Sequence, residues 1–260
     1  MAPTSKMRST IDKVLVWIAN HWIKTNNLSM ALTHNTDYQL PNINHLKLED
    51  WYFIICNHQS WADILILQKL FLHKAPFIRF FIKKELFWVP VIGLAWWALD
   101  FPFMARHSKA AIAKNPSLKT KDLETTRKTC AKFQHHTVSI LNFLEGTRFT
   151  PEKQKKQQSP YPNLLRPRIG GFANAIYTMD KKITHVLDVT IVYPNGIPTF
   201  WDFLCGKIQS AKVDVKQREI PNVFLSWKDL DNPHMRHQFG EWVNGLWQEK
   251  EQTIRALTKV

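Results

Sequence analysis

The chain reads as a single α/β domain, a mixed sheet flanked by helices and preceded by an amphipathic N-terminal helix. Two observations carry that reading. Short β-prone apolar runs alternate with segments of helical period, the order that builds a layered sheet rather than a bundle or a sandwich. The 260 residues, 45% of them hydrophobic and including 11 Trp and 16 Phe, are enough to fill one sizeable core. The same composition excludes disordered, collagen-like and disulfide-scaffold classes.

In chain order, residues 11–28 come first, with Ile11, Val14, Leu15, Ile18 and Trp22 on one helical face. Ser9-Thr10-Ile11-Asp12 supplies the S-x-x-D pattern of a capping box at its start. Its apolar face is suited either to the core or to a bilayer interface, which the Trp residues and basic flanks permit. Residues 1–45 are therefore set apart as a helical region with possible membrane contact, and residues 46–260 as the α/β domain. The apolar stretch Val14–Ala19 is broken by Asn20 and His21, too short for a spanning helix or a signal peptide.

Trp51–Cys56 is a β-prone apolar run, Asn57–Ser60 a polar loop, and Ile64, Leu65, Leu67 and Leu70 mark the helix that follows. Pro76–Lys83 and Leu99–Ala105 read as buried strands flanking a short helix. Between them Leu86–Leu99 is the most lipid-like stretch. Pro90 and Gly93 interrupt it, Asp100 ends it, and it falls short of the roughly 18–20 residues of a membrane span. It is expected to be buried or to touch a membrane. Lys121–His135 reads as a polar surface helix leading into a strand over Val138–Leu144. The stretch 151–168, rich in Pro, Gln and Lys, is expected to be a mobile basic loop. A helix over 169–179, strands over 185–193 and 208–215, and a last helix from about Pro233 complete the order.

Lys and Arg number 35 against 21 Asp and Glu, a net charge of +14, which points to an anionic partner: nucleic acid, an anionic membrane surface or a phosphorylated substrate. Cys56, Cys130 and Cys205 form neither a disulfide framework nor a Cys-x-x-Cys pair, as suits a reducing cytoplasmic setting.

Three clusters carry chemistry. Asn57-His58-Gln59-Ser60-Trp61-Ala62-Asp63 lies at a strand-to-helix junction. An imidazole there can take a proton from an alcohol while a carboxylate fixes its tautomer. Within one helix a spacing of five would turn the two side chains about 140° apart. With Ser60 as N-cap, Asp63 falls in the first turn and His58 precedes the helix, so the two can converge. Ser60-Trp61-Ala62-Asp63 is also a capping box in its own right, which leaves a purely structural role open. Glu145-Gly146-Thr147-Arg148 directly follows the strand expected over Val138–Leu144. Its Gly permits a tight exit, and its Arg offers a fork for a phosphate that Lys cannot reproduce. Lys83-Lys84-Glu85-Leu86, with Pro90, Gly93 and Arg106 beyond, sets cations beside an apolar segment, suited to a ligand with a phosphate head and a hydrocarbon tail.

N-H-x-x-x-x-D at 57–63, K-x-L-x-x-x-P-x-x-G over 84–93, an Arg at 106 and E-G-T-R at 145–148, in that order, resemble the lysophosphatidic acid (1-acylglycerol-3-phosphate) acyltransferase family. The likeness, to a bacterial branch of it, runs over most of residues 50–255. The resemblance implies transfer of a fatty acyl group from acyl-CoA or acyl carrier protein to the sn-2 hydroxyl of a lysophospholipid, without metal or bound cofactor. It implies His58 as base and Asp63 as its orienting partner. Asn57, Lys84, Arg106, Glu145, Gly146, Thr147 and Arg148 would be the substrate-binding set. Lysophospholipid, acyl thioester and an anionic membrane surface would be the partners, at the cytoplasmic face of a bacterial inner membrane. Two departures stand out. Relatives carry an N-terminal membrane segment where this chain has only the stretch 11–28, and the run FPFMAR lacks their Asp-Arg ending.

Competing readings are a Cys56 thioester intermediate, a metal at His234, His237 and Glu241, and nucleic acid on Lys153–Lys156. Against them stand the apolar strand around Cys56, the bare H-x-x-H, and Trp-rich stretches that are apolar rather than interleaved with Arg or Lys. Other head groups, such as lysophosphatidylglycerol, and a non-catalytic lipid-binding protein remain alternatives.

Overall fold

The computed structural model describes residues 5–90, 92–101, 103–104, 115, 124, 137–179, 181–227 and 229–259. Its centre is β2 (Tyr52–Cys56), a strand buried at every position. Such a run suits a central parallel strand covered on both faces. Phe53 and Ile55 point to one side and Tyr52, Ile54 and Cys56 to the other, dividing the apolar interior into two layers.

With β1 (Asp37–Gln39), β3 (Ile78–Phe80), β6 (Ser139–Phe143), β7 (His185–Val192) and β8 (Ser210–Glu219), it forms a sheet ordered β1-β8-β7-β2-β6-β3 among the described residues. The pairs β7-β2, β2-β6 and β6-β3 are parallel, whereas β8 runs antiparallel to β7, so the sheet is mixed as expected. Cys56 lies level with Phe143 and Val189. That register brings the chain exits of β2, β6 and β7 to one edge, where crevices of α/β sheets form.

One face is covered by α5 (Gly170–Thr178), α7 (Asn222–Leu225) and α8 (Pro233–Thr258), which bring Phe172, Phe224, Phe239, Val243 and Trp247 onto the sheet. Burial of Phe172 and of Phe239 contributes about 1.5–3 kcal/mol each. Lys250, buried on α8, forms an ion pair with Asp188 of β7, joining helix and sheet. On the other face α1 (Ser5–Thr33), α2 (Ala62–Phe71) and α6 (Phe200–Leu204) contribute Met30, Ile66, Leu67 and Phe203.

Several elements differ from the sequence expectation. α1 is longer than 11–28, and it buries Ile23 and Met30 while Ile11, Val14, Ile18 and Trp22 stay exposed. The apolar face read from the sequence is therefore turned away from the core. Residues 37–39, assigned to the N-terminal region, form β1 at the sheet edge. The run Pro76–Lys83 is divided into β3 and β4 (Ile82–Lys83), and β4 pairs with β5 (Phe103–Met104) outside the main sheet. A 3-10 helix (Lys84–Trp88) and α3 (Ile92–Ala98) lie between those two strands.

The expected loop after Phe149 begins instead with α4 (Pro151–Gln157). Thr150 caps it, Pro151 opens it, Glu152 sits in its first turn, Lys155 and Lys156 in its last, and Gln158 closes it at φ 48°. Those are ordinary helix start and stop signals that a reading by composition passes over. The segment beyond is tied down too: Ser159 Oγ donates to Leu164 O, and Leu164 and Leu165 are fully buried. The helix expected over 121–135 lies, apart from Glu124, outside the described residues.

Candidate active site

Between β2 and α2 the chain makes a tight polar turn, and that turn assembles the site. Asp63, in the first turn of α2 and wholly buried, is its hub. Its Oδ2 accepts the backbone N–H groups of Gln59 at 2.7 Å and Ser60 at 2.9 Å and meets His58 Nδ1 at 2.9 Å. The capping and catalytic readings of Asp63 are thus one geometry, since the same oxygen closes the turn and holds the imidazole. Trp61 rather than Ser60 takes the N-cap position, with no side-chain cap. Ser60 Oγ instead donates to Pro198 O at 2.7 Å and accepts from Ala62 N at 3.2 Å.

A carboxylate on Nδ1 fixes the tautomer whose Nε2 carries a lone pair. Among the described residues nothing hydrogen-bonds to that Nε2. The ring is stacked on Phe143, centroids 4.0 Å apart and 17° from parallel, so its orientation is held by packing as well. About one sixth of the His58 side chain is solvent-accessible. An oriented, part-exposed imidazole with a free basic nitrogen has the geometry of a general base.

Sequence reasoning did not find Tyr193, just beyond β7. Its buried hydroxyl donates to Asp63 Oδ1 at 2.6 Å. Burial, with Asp63 beside it, raises the phenol well above its ordinary range, so it stays a neutral donor. The available signal was its place after an apolar strand, but nothing local linked it to a residue 130 positions earlier.

Asn57 and Glu145, both expected among the substrate contacts, are hydrogen-bonded within the protein. Asn57 is fully buried; its Nδ2 donates to Ile191 O at 2.8 Å and its Oδ1 accepts from Ile191 N at 2.9 Å, stapling the end of β2 to β7. Glu145, also fully buried, accepts His58 N–H on Oε1 and Leu165 N–H on Oε2, both at 2.8 Å. Both side chains are spent on backbone, so they shape the crevice. Burial pushes the Glu145 carboxyl from 4.5 up to about 8, despite those two donors.

In the rest of the second motif Gly146 and Thr147 are half-buried. Gly146 has φ +70°, and a Cβ there would lie 3.0 Å from Arg168 Cδ, so both backbone and space favour glycine. Arg148 is exposed, its guanidinium 4.7 Å from the Trp61 ring centroid. Lys153 Nζ, on α4, donates to Thr147 Oγ1 at 3.0 Å and Arg148 O at 2.8 Å. Arg148, Lys153 and Arg168 thus gather around the loop, the latter two unforeseen. Phe149 N donates to His58 O at 2.7 Å, which joins this cationic loop to the turn that carries His58.

Lys84 begins the 3-10 helix, and Arg106 lies outside the described residues. Cys56 is fully buried and its thiol is pushed well up by burial, the state of an inert core cysteine. His234, His237 and Glu241 are exposed along α8.

An imidazole oriented by a carboxylate at the strand exits, beside a cationic loop, is a geometry suited to proton abstraction. The acyltransferase family model matches residues 37–194, a span that includes His58, Asp63, the 145–148 loop and Tyr193. The chain belongs to the acyltransferase family. Relatives include an uncharacterized acyltransferase of Saccharomyces cerevisiae, 25% identical over 87% of this chain and 64% of its own length. The 1-acyl-sn-glycerol-3-phosphate acyltransferase 2 of Brassica napus is 27% identical over 76% of this chain and 49% of its own. The delta enzyme of Mus musculus is 29% identical over 65% and 42%. The chain therefore spans between 42% and 64% of the length of these relatives. Its fold is also that of PlsC, the 1-acyl-sn-glycerophosphate acyltransferase of Thermotoga maritima, at TM-score 0.51 and 17% identity over 96% of this chain and 84% of that one.

Proposed function

We propose that the protein transfers a fatty acyl group from an acyl thioester, acyl-CoA or acyl carrier protein, to the sn-2 hydroxyl of lysophosphatidate, forming phosphatidate. The observation that carries this is the free Nε2 of His58, aimed by Asp63 and flanked by the Arg148 loop. His58 takes the hydroxyl proton on Nε2 as the oxygen attacks the thioester carbonyl. The tetrahedral intermediate collapses, the C–S bond breaks, and the thiolate leaves and takes up the proton held by His58. Asp63 stabilises the imidazolium without accepting its proton. The Arg148 guanidinium, oriented by stacking on Trp61, supplies a fork for the acceptor phosphate.

The working place on this reading is the cytoplasmic face of a bacterial inner membrane, reached from the water side. Among the described residues no helix is long and apolar enough to cross a membrane. The exposed face of α1, with Trp17, Ile18 and Trp22, and exposed Trp88, Leu94 and Trp97 support an interfacial attachment. The net charge of +14 supports an anionic surface, at about 1 kcal/mol per cation near it.

The test is transfer of labelled oleoyl from oleoyl-CoA or its carrier-protein thioester to lysophosphatidate and to lysophosphatidylglycerol. The parent chain is to be run beside His58→Ala and Asp63→Asn. Product from the parent and a loss of about 10²–10⁴-fold in each variant are expected. No product from the parent with any pair of substrates would leave a non-catalytic lipid binder.

A further inference from the structure

Beside the base lies a short helix that leaves its apolar side uncovered. In α6 only Phe203 is buried; Phe200, Trp201 and Leu204, with Ile197 before them and Trp61 next to His58, are 44–70% exposed. The Trp61 and Phe200 rings are 6.4 Å apart and those of Phe200 and Trp201 6.0 Å, so the aromatics form one shelf reaching the catalytic turn. That shelf is rigidly mounted. Thr199 and Asp202 form a reciprocal capping box at its start, and Ser60 Oγ donates to Pro198 O, tying its approach to the turn that carries His58.

Two observations say what the shelf meets. First, the end of α1 packs beside it: a Cβ at Gly206 would lie 2.9 Å from Thr33 O at the end of α1, and the His34 ring meets Phe203 edge-on at 5.0 Å. Leu28 and Leu32, on that last part of α1, are exposed. Second, cations border it, with Arg148 on Trp61 and Lys153 against Arg148. Apolar and indole side chains edged by Lys and Arg match the boundary between acyl chains and anionic head groups.

We infer that α6, through Phe200, Trp201 and Leu204, is a bilayer-docking face that presents the His58 crevice to anionic lipid. The inference rests on the proposed reaction for its purpose, though not for its test. Docking by this face delivers the acceptor without its leaving the lipid phase, because the shelf and the base share one turn of chain. The one carboxylate of α6, Asp202, is held at the start of the helix by its hydrogen bonds with Thr199.

Cys205, exposed at the end of α6, provides the reporter. A polarity-sensitive fluorophore on Cys205, in a Cys130→Ser background, is to be read on vesicles of mixed phosphatidylcholine and phosphatidylglycerol. Unlabelled Phe200→Glu/Trp201→Glu and Leu204→Glu chains are to be compared by flotation, their folding checked by circular dichroism. The parent is expected to float and its label to shift to the blue. The Glu variants are expected to bind vesicles about tenfold or more weakly and to keep turnover of a short-chain, water-soluble lysophosphatidate within about twofold. Vesicle binding unchanged in the folded variants would overturn the inference. So would a matching loss on the short-chain acceptor, which would make the shelf a substrate pocket. Weakened binding in the variants together with a parent that transfers no acyl group would sink the proposed reaction and leave the docking face standing.

Discussion

Tyr193 holds Asp63 through the oxygen that His58 does not use: the phenol donates to Oδ1 at 2.6 Å while Nδ1 of His58 meets Oδ2 at 2.9 Å. The carboxylate is therefore clamped from two strand ends, and with it the plane of the imidazole.

Tyr193→Phe removes that clamp with little change in volume. It is expected to lower kcat several-fold, with KM for the acceptor unchanged, because the base is misaligned and the phosphate contacts are not. Stability should fall by about 1.5–3 kcal/mol, the range for a hydrogen bond to a charged group. Steady-state kinetics with urea unfolding checks both, and a variant altering KM alone would remove Tyr193 from the positioning of the base.

Glu145 makes stability depend on pH. Its folded carboxyl titrates near 8 against an ordinary 4.5, so between those values the unfolded chain gives up a proton that the folded chain keeps. Stability is then fullest below about pH 4.5 and falls as pH rises toward 8, by up to about 1.4 kcal/mol per unit. Glu145→Gln removes this slope, yet costs about 1–3 kcal/mol in acid, because an amide offers one oxygen to two backbone donors. Unfolding midpoints across this range should show parent and variant converging with rising pH and crossing before about pH 8.

Arg148→Lys retains the charge but loses the planar fork and its stacking on Trp61. KM for lysophosphatidate is expected to rise about tenfold, equivalent to about 1.4 kcal/mol, with kcat changed little. Lys153→Ala, which frees the Arg148 carbonyl and the Thr147 hydroxyl, should give a smaller rise in KM. A fall in kcat at constant KM would place Arg148 at the reacting carbonyl instead.

Gly146→Ala meets a positive φ and a contact with Arg168 Cδ at 3.0 Å. A loss of about 1–3 kcal/mol follows from the backbone strain, read as a lower midpoint in urea. Arg168→Ala removes the crowding, so the double variant should recover part of the loss and show how much of it was steric.

Much of this was legible in order along the chain. Buried runs such as Tyr52–Cys56, the helices on either side and the two motifs at strand exits are local patterns, and each appears within a few residues of its expected place. The convergence of His58 on Asp63 was legible for the same reason, since five residues spanning a turn leave few arrangements. α4 is legible by position rather than by composition: its Thr cap, Pro and terminal charges are helix signals, while its Pro, Gln and Lys content is that of a loop.

The amino-acid sequence by itself determined the α/β class, the residues that could act as acid, base and cation, and the strand exits that carry them. Tertiary structure alone decided which of those side chains are engaged within the protein and which stay open to the crevice. Asn57 is spent on Ile191 134 positions away, Glu145 on the backbone of His58 87 positions away, and Asp63 is shared with Tyr193 across 130. Such pairings depend on the register of parallel strands, where one residue of slip turns every side chain to the other face. That register is set by packing against the helices on both sides, a many-body property that no local spacing encodes.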